Sequence, residues 1–185
     1  VGFPTLVHII LEQQVSLASA RAAFEKLKAA VNPLTPQGLL RLSDAEMKAA
    51  GFSRQKTGYT RGLAHAILAG ELDLEGLDEM EDAAAREELL KIKGIGGWSA
   101  DIYLLMALRR PDVWPAGDLA LAQAVQQVKG LPARPDGEEM AAIAAPWRPW
   151  RAASARMCWH YYLSRMVKKS SRGNENGSIK TDPAN

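Results

Sequence analysis

Apolar residues recur along this chain at three- and four-residue intervals, with no alternating stretch and no internal repeat. Leu6, Ile9, Ile10 and Gln13 share one helical face. Ser16 is placed to cap a second helix with Leu17, Ala20, Phe24 and Leu27 on its apolar side. Thr35-Pro36 reads as a cap followed by proline in the first turn. Ser43-Asp44-Ala45-Glu46 reads as a capping box. Residues 54–69 are helical, with Tyr59, Leu63, Ile67 and Leu68 apolar, and 70–84 are an acidic loop with apolar points at Leu72, Leu74, Leu77 and Met80. Further helices are predicted over 85–93, 97–108, 119–128 and 137–145, the last opened by the Asp136-Gly137-Glu138-Glu139 box. A final helix has Pro149 in its first turn and runs to about Val167. The pattern predicts an all-α fold over residues 1–167, followed by a disordered polar tail over 168–185.

Composition narrows the function classes. The 185 residues fit one domain, and an apolar fraction of 47% can bury a core. No run reaches the roughly 18 apolar residues of a membrane span, so no membrane partner is expected. The start, Val1-Gly2-Phe3-Pro4, lacks the basic region and cleavage site of a signal peptide. It also lacks an initiator Met and enters an apolar run at once, so a preceding segment is expected. Cys158 is the lone cysteine, which excludes disulfides within the chain, multi-thiolate zinc and a four-cysteine iron–sulfur cluster. His8, His65 and His160 show no metal-ligand spacing. A reducing, cytoplasmic location is expected, nucleoid-associated in a bacterium.

The net charge of +2 hides an uneven spread. Residues 1–70 carry 8 basic and 4 acidic side chains, 71–88 carry 1 and 9, and 89–185 carry 14 and 8. A basic face apart from an acidic one would suit DNA. Charges scattered over a solvated surface explain the counts as well.

The strongest local signal is Leu89-Leu90-Lys91-Ile92-Lys93-Gly94-Ile95-Gly96-Gly97-Trp98-Ser99-Ala100-Asp101. An amphipathic helix is broken by three glycines in four residues, and an apolar helix follows at once. Glycines permit positive φ and leave N–H groups unshielded. At the start of a helix, such groups attract anions. Ile95 is expected to plug the turn into the core. Lys91 and Lys93 would add attraction to phosphates, on the order of one released counterion for each phosphate contacted. Gly94, Ile95, Gly96, Gly97 and Ser99 thus form a candidate clamp that reads no base sequence. An ordinary turn between helices also favours glycine. Downstream, Trp114-Pro115-Ala116-Gly117-Asp118 sets a carboxylate at the mouth of a helix, where aspartate is first of all a good N-cap.

Four motifs in order give this sequence a resemblance to the helix-hairpin-helix DNA glycosylase superfamily, and within it to the AlkA-like 3-methyladenine glycosylases. They are Ile10-Leu11-Glu12-Gln13-Gln14-Val15-Ser16, the glycine hairpin running into Trp98, the Gly117-Asp118-Leu119 turn, and Trp147-Arg148-Pro149-Trp150-Arg151 leading to Trp159. The twenty-residue step from Trp98 to Asp118 also suits the family. The resemblance covers residues 3–167. It implies a two-lobed helical fold with the active-site cleft between the lobes, and without the N-terminal β domain of AlkA itself. It implies that Asp118 is the catalytic carboxylate. Trp98 falls where lyase-competent members carry a Schiff-base lysine, so a monofunctional hydrolase is expected, leaving an abasic site.

The extruded base would stack on Trp98 and Trp159. Gln14 would fill the space vacated in the duplex, and Gln13 would face the pocket or the opposite strand. A pocket tyrosine of some relatives is replaced by Ile102, with Tyr103 adjacent, and both are assigned to the pocket. Glu12 stands where a small residue is usual. Carbonyls near Gly94 are expected to hold a sodium or potassium ion, with no other cofactor required. The implied partner is double-stranded DNA carrying alkylated purines of the 3-methyladenine and 7-methylguanine type, bound by a monomer in base excision repair. Two alternatives stay open: a glycosylase of this fold for hypoxanthine or an oxidised base, and a helix-hairpin-helix module that binds DNA without catalysis. Trp147 and Trp150 are expected to pack the last helix.

Overall fold

The structure is a computed structural model and describes residues 2–175. Among the described residues there are ten α-helices and no strand, so the all-α expectation holds. The chain divides into two compact units, Val1–Val113 and Trp114–Asn185.

The first unit is organised around two helices that are apolar almost all round, as buried helices must be. These are α1 (Phe3–Glu12) and α7 (Gly97–Met106), which pack together. Leu6, Val7, Ile10, Tyr103 and Leu105 are fully enclosed. Each such aliphatic side chain contributes about 1.5–3 kcal/mol by leaving water. Around this pair lie α2 (Leu17–Ala30), α3 (Pro36–Leu40), α4 (Asp44–Ala49), α5 (Arg54–Leu68) and α6 (Asp82–Leu90). Their starts follow from local sequence. Ser16, Thr35, Ser43 and Ser53 each accept a backbone N–H three residues on, and Glu46 closes the capping box back to Ser43.

The acidic segment departs from the expected loop. It contains a 3₁₀ turn, Gly76–Asp78, and α6 begins at Asp82 rather than 85. Leu72 and Leu77 are buried. Arg110 donates to the carbonyls of Leu77, Asp78 and Met80 and pairs with Asp82 at 3.4 Å. The Nη2 group of one guanidinium thus reaches backbone carbonyls that a free loop would leave to water.

The second unit contains α8 (Leu119–Lys129), α9 (Gly137–Ala144) and α10 (Arg151–Glu175). Helices α8 and α10 pack together, and Ala122 and Ala124 on the one and Ala152 and Ala155 on the other are buried. Trp147 packs edge-on to the buried Trp114, with centroids 5.3 Å apart. Trp150 does not share this role, being 64% exposed. The last helix starts at Arg151, so Pro149 precedes it instead of lying in its first turn. The helix also continues to Glu175, past the expected end near Val167. Once a helix is nucleated, each added residue gains a hydrogen bond, and polar sequence alone does not stop it. Residues 176–185 of the expected tail lie outside the described residues.

Candidate functional site

In the first unit, α6 ends at Leu90 and α7 begins at Gly97, with Ile92 and Ile95 buried in the turn that joins them. Gly94 has φ 97, and a Cβ there would run into Cγ of the Tyr59 ring. Both the backbone conformation and the approach of Tyr59 therefore demand glycine. Gly96 has open space where a Cβ would stand. It is the N-cap of α7 and supplies no side-chain cap, so the first turn presents its positive end to whatever anion approaches.

The structure sorts the expected DNA-binding residues. Ile95 is buried, and its own N–H donates to the carbonyl of Ile92 at 3.0 Å. Ser99 is 2% exposed. Both side chains hold the turn from behind, so a contact of either residue with a ligand would run through its backbone. Lys93 is exposed. Lys91 is exposed too but pairs with Glu88 at 2.6 Å, which offsets part of its field. Arg86 was missed by sequence reasoning. Its Nη2 lies 2.8 Å from where a Gly97 Cβ would stand, and its Nε pairs with Asp101 at 2.7 Å. This sets a guanidinium beside the start of α7. Burial pushes the Asp101 carboxyl up, and Arg86 offsets part of that shift. Nothing local marks the pair, because it joins two helices.

The turn after α1 is tied to the same hairpin. Gln13 Nε2 donates to the carbonyl of Gly94 at 2.8 Å and to Oγ of Ser99 at 3.0 Å. The Nε2 donors of its amide are therefore engaged with the hairpin, a partner the sequence did not suggest. The Gly94 carbonyl, expected to hold a cation, already accepts this bond. A carbonyl has a second lone pair, so Gly94 can still supply one oxygen to an ion. Gln14 is exposed with φ 57, a conformation that costs a non-glycine residue on the order of 1 kcal/mol. Lys56, also unforeseen, donates to the carbonyls of Leu11 and Gln13 at 2.6 and 2.9 Å. Glu12, the departure from the usual small residue, is half-buried, and burial pushes its carboxyl up.

Trp98 is half-buried in the first turn of α7, and Ile102 follows one turn later on the same side. Ile102 is 8% exposed. Tyr103 is fully enclosed, so it has no surface to offer a base and does not line a pocket. One residue's step rotates a side chain by about 100° around a helix, which carries Tyr103 from the face of Trp98 into the core.

In the second unit, the 114–118 connection is wound by bonds from the N–H of Ala116 to the carbonyl of Trp114 and from the N–H of Asp118 to the carbonyl of Pro115, both 2.9 Å. Asp118 is the N-cap of α8: its Oδ1 accepts from the Leu121 N–H at 2.7 Å. The same oxygen accepts from Nε1 of Trp159 at 3.1 Å. The cap and the chemistry are therefore not rival readings, since capping fixes where the carboxylate sits. Trp159, half-buried on α10, reaches Asp118 from 41 residues away.

Three comparisons bear on these features. Over 121 residues the chain is 29% identical to the DNA-3-methyladenine glycosylase of Bacillus subtilis, covering 65% of this chain but 40% of that protein. It is 28% identical over 161 residues to DNA-3-methyladenine glycosylase 1 of Schizosaccharomyces pombe, covering 85% and 71%. The solved structure of a S. pombe 3-methyladenine DNA glycosylase in complex with abasic DNA matches with a TM-score of 0.81 at 28% identity, over 85% of this chain and 78% of that one. The family model of HhH-GPD superfamily base excision DNA repair proteins matches residues 7–149, which hold the glutamine turn, the hairpin and Asp118. The chain belongs to the HhH-GPD superfamily of base excision DNA repair proteins.

Proposed function

We propose that this chain is a monofunctional glycosylase that flips alkylated purines out of duplex DNA and hydrolyses their N-glycosidic bond. The observation that carries this reading is Asp118, a carboxylate fixed by the Leu121 N–H and the Trp159 indole at the start of α8. Mere phosphate binding needs no such group. The names of the relatives from B. subtilis and S. pombe support the substrate class.

In the proposed reaction, the uncapped start of α7, with Lys93 and Arg86, holds backbone phosphates without reading sequence. A monovalent cation resting partly on the Gly94 carbonyl would add to that grip. The extruded base stacks on the Trp159 ring beside Asp118, and such an aromatic face favours a positively charged purine by about 0.5–2 kcal/mol. The bond from C1′ to the ring nitrogen breaks, and its electron pair goes to the cationic base, which leaves neutral. The sugar is then oxocarbenium-like, and the Asp118 carboxylate stabilises that charge. A water oxygen adds to C1′ and gives its proton to Asp118, which returns it to solvent. Trp98 occupies the first turn of α7 without an amine, so no Schiff base forms and the strand stays uncut.

Incubation with duplexes carrying one defined lesion each tests the reading. Release of free 3-methyladenine or 7-methylguanine is expected, with no covalent adduct on borohydride trapping. Binding without base release would reduce the protein to a DNA-holding module, and a trapped adduct would contradict the monofunctional assignment.

A further inference from the structure

Helix α1 ends without help from its own sequence. Its last turn has no basic residue, and the position after its C-cap, where glycine is the common solution, is Gln14 at φ 57. The closing carbonyls are held from α5 instead. Lys56 Nζ donates to the Leu11 oxygen at 2.6 Å and to the Gln13 oxygen at 2.9 Å. A cation is what the C-terminal end of a helix attracts. Both bonds are partly buried, and burial pushes the Lys56 pKa down. On its other side, Gln13 is bound through its amide to Gly94 and Ser99. The backbone entering Gln14 is therefore pinned from two elements, while Gln14 itself remains exposed.

We propose that Lys56 is a positioning residue that holds Gln14 ready to enter the duplex and fill the space an extruded base leaves. This rests on the glycosylase reading and on the role it gives Gln14. A group that must be ordered on binding spends part of its contact energy on that ordering, whereas one already ordered does not. Lys56 and Gln13 order this turn before DNA arrives. The same network links it to Gly94 in the phosphate-holding hairpin.

The test compares binding to a duplex containing one abasic-site analogue with binding to the same duplex intact, at fixed salt. The proteins are wild type, Lys56→Met, Lys56→Arg, Gln14→Ala and the Lys56→Met/Gln14→Ala double variant, with thermal unfolding of each. Wild type is expected to prefer the abasic duplex. Lys56→Met should lose about tenfold of that preference while binding intact duplex as before, and Gln14→Ala should add little in that background, because coupled residues are not additive. Lys56→Arg should restore most of the preference. Should Lys56→Met not fold, Lys56→Gln removes the charge with the same expected loss. Retained preference without the charge, or fully additive effects, overturns the inference alone. No preference in wild type overturns the assigned role of Gln14 and the inference with it.

Discussion

Two helix starts in this molecule meet the same electrostatic demand in opposite ways. Helix α8 is capped by its own carboxylate, Asp118, whose Oδ1 takes the Leu121 N–H. Helix α7 is preceded by Gly96, which has no side chain to offer. Every helix begins with N–H groups that lack an internal acceptor and with a partial positive charge. Where the chain supplies the anion, that anion is fixed in place and becomes available for chemistry. Where it supplies none, the helix start can receive an anion from outside, and in the proposed function that anion is a DNA phosphate. In that proposal one physical feature yields a placed reagent in one unit and a binding site in the other.

The largest expected effect comes from changing the reagent without changing the cap. Asn caps a helix as well as Asp does, so Asp118→Asn should fold normally and bind damaged duplex within a few-fold of wild type. Its base release should fall by about 10³-fold, the scale on which a lost electrostatic contact to the transition state is felt. Single-turnover release measured beside equilibrium binding checks both halves, and retained turnover would end the assignment of Asp118.

At the α7 start, the glycines should separate. Gly94→Ala places a methyl group into Tyr59 at positive φ and should cost about 3 kcal/mol of stability by urea unfolding. Gly96→Ala meets open space and should cost no more than about 1 kcal/mol as a poorer N-cap, yet weaken DNA binding, since the new methyl stands where a phosphate would approach. Equal losses of stability at both positions would contradict this division of labour.

A smaller effect tests how Asp118 is held. Trp159→Phe keeps an aromatic face and removes the indole N–H that reaches Oδ1. Base release should slow by about tenfold, or roughly 1.4 kcal/mol, with affinity little changed. A loss confined to KM would mean that Trp159 acts through stacking alone. The smallest effect belongs to the lysines near α7. Lys93→Ala should reduce the slope of log affinity against log salt by about 1. Lys91→Ala should reduce it less, because Glu88 already pairs with that side chain.

How far the site was legible depends on the reach of each interaction. Gly94, the Ile95 plug and the Asp118 cap were readable because each is settled within a few residues. Tyr103 was misplaced because a single step around α7 decides between an accessible face and the core, and only the packing against α1 says which. Gln13 was expected at a pocket, but its partners Gly94 and Ser99 lie 81 and 86 residues away. The end of α10 was misjudged because polar composition does not by itself terminate a helix already under way.

The sequence by itself determined the all-helical pattern, the capped starts at Ser16, Thr35, Ser43, Asp118 and Asp136, the break at Gly94 and the two kinds of helix N-terminus. These depend on hydrogen bonds and steric limits spanning three or four residues. Only the tertiary structure decided what those local features hold: Lys56 on the end of α1, Arg86 beside Gly97, and the Trp159 indole on Asp118. Such partners are brought together by the packing of whole helices, and their separation along the chain, up to 45 residues for Lys56, leaves no mark in local pattern.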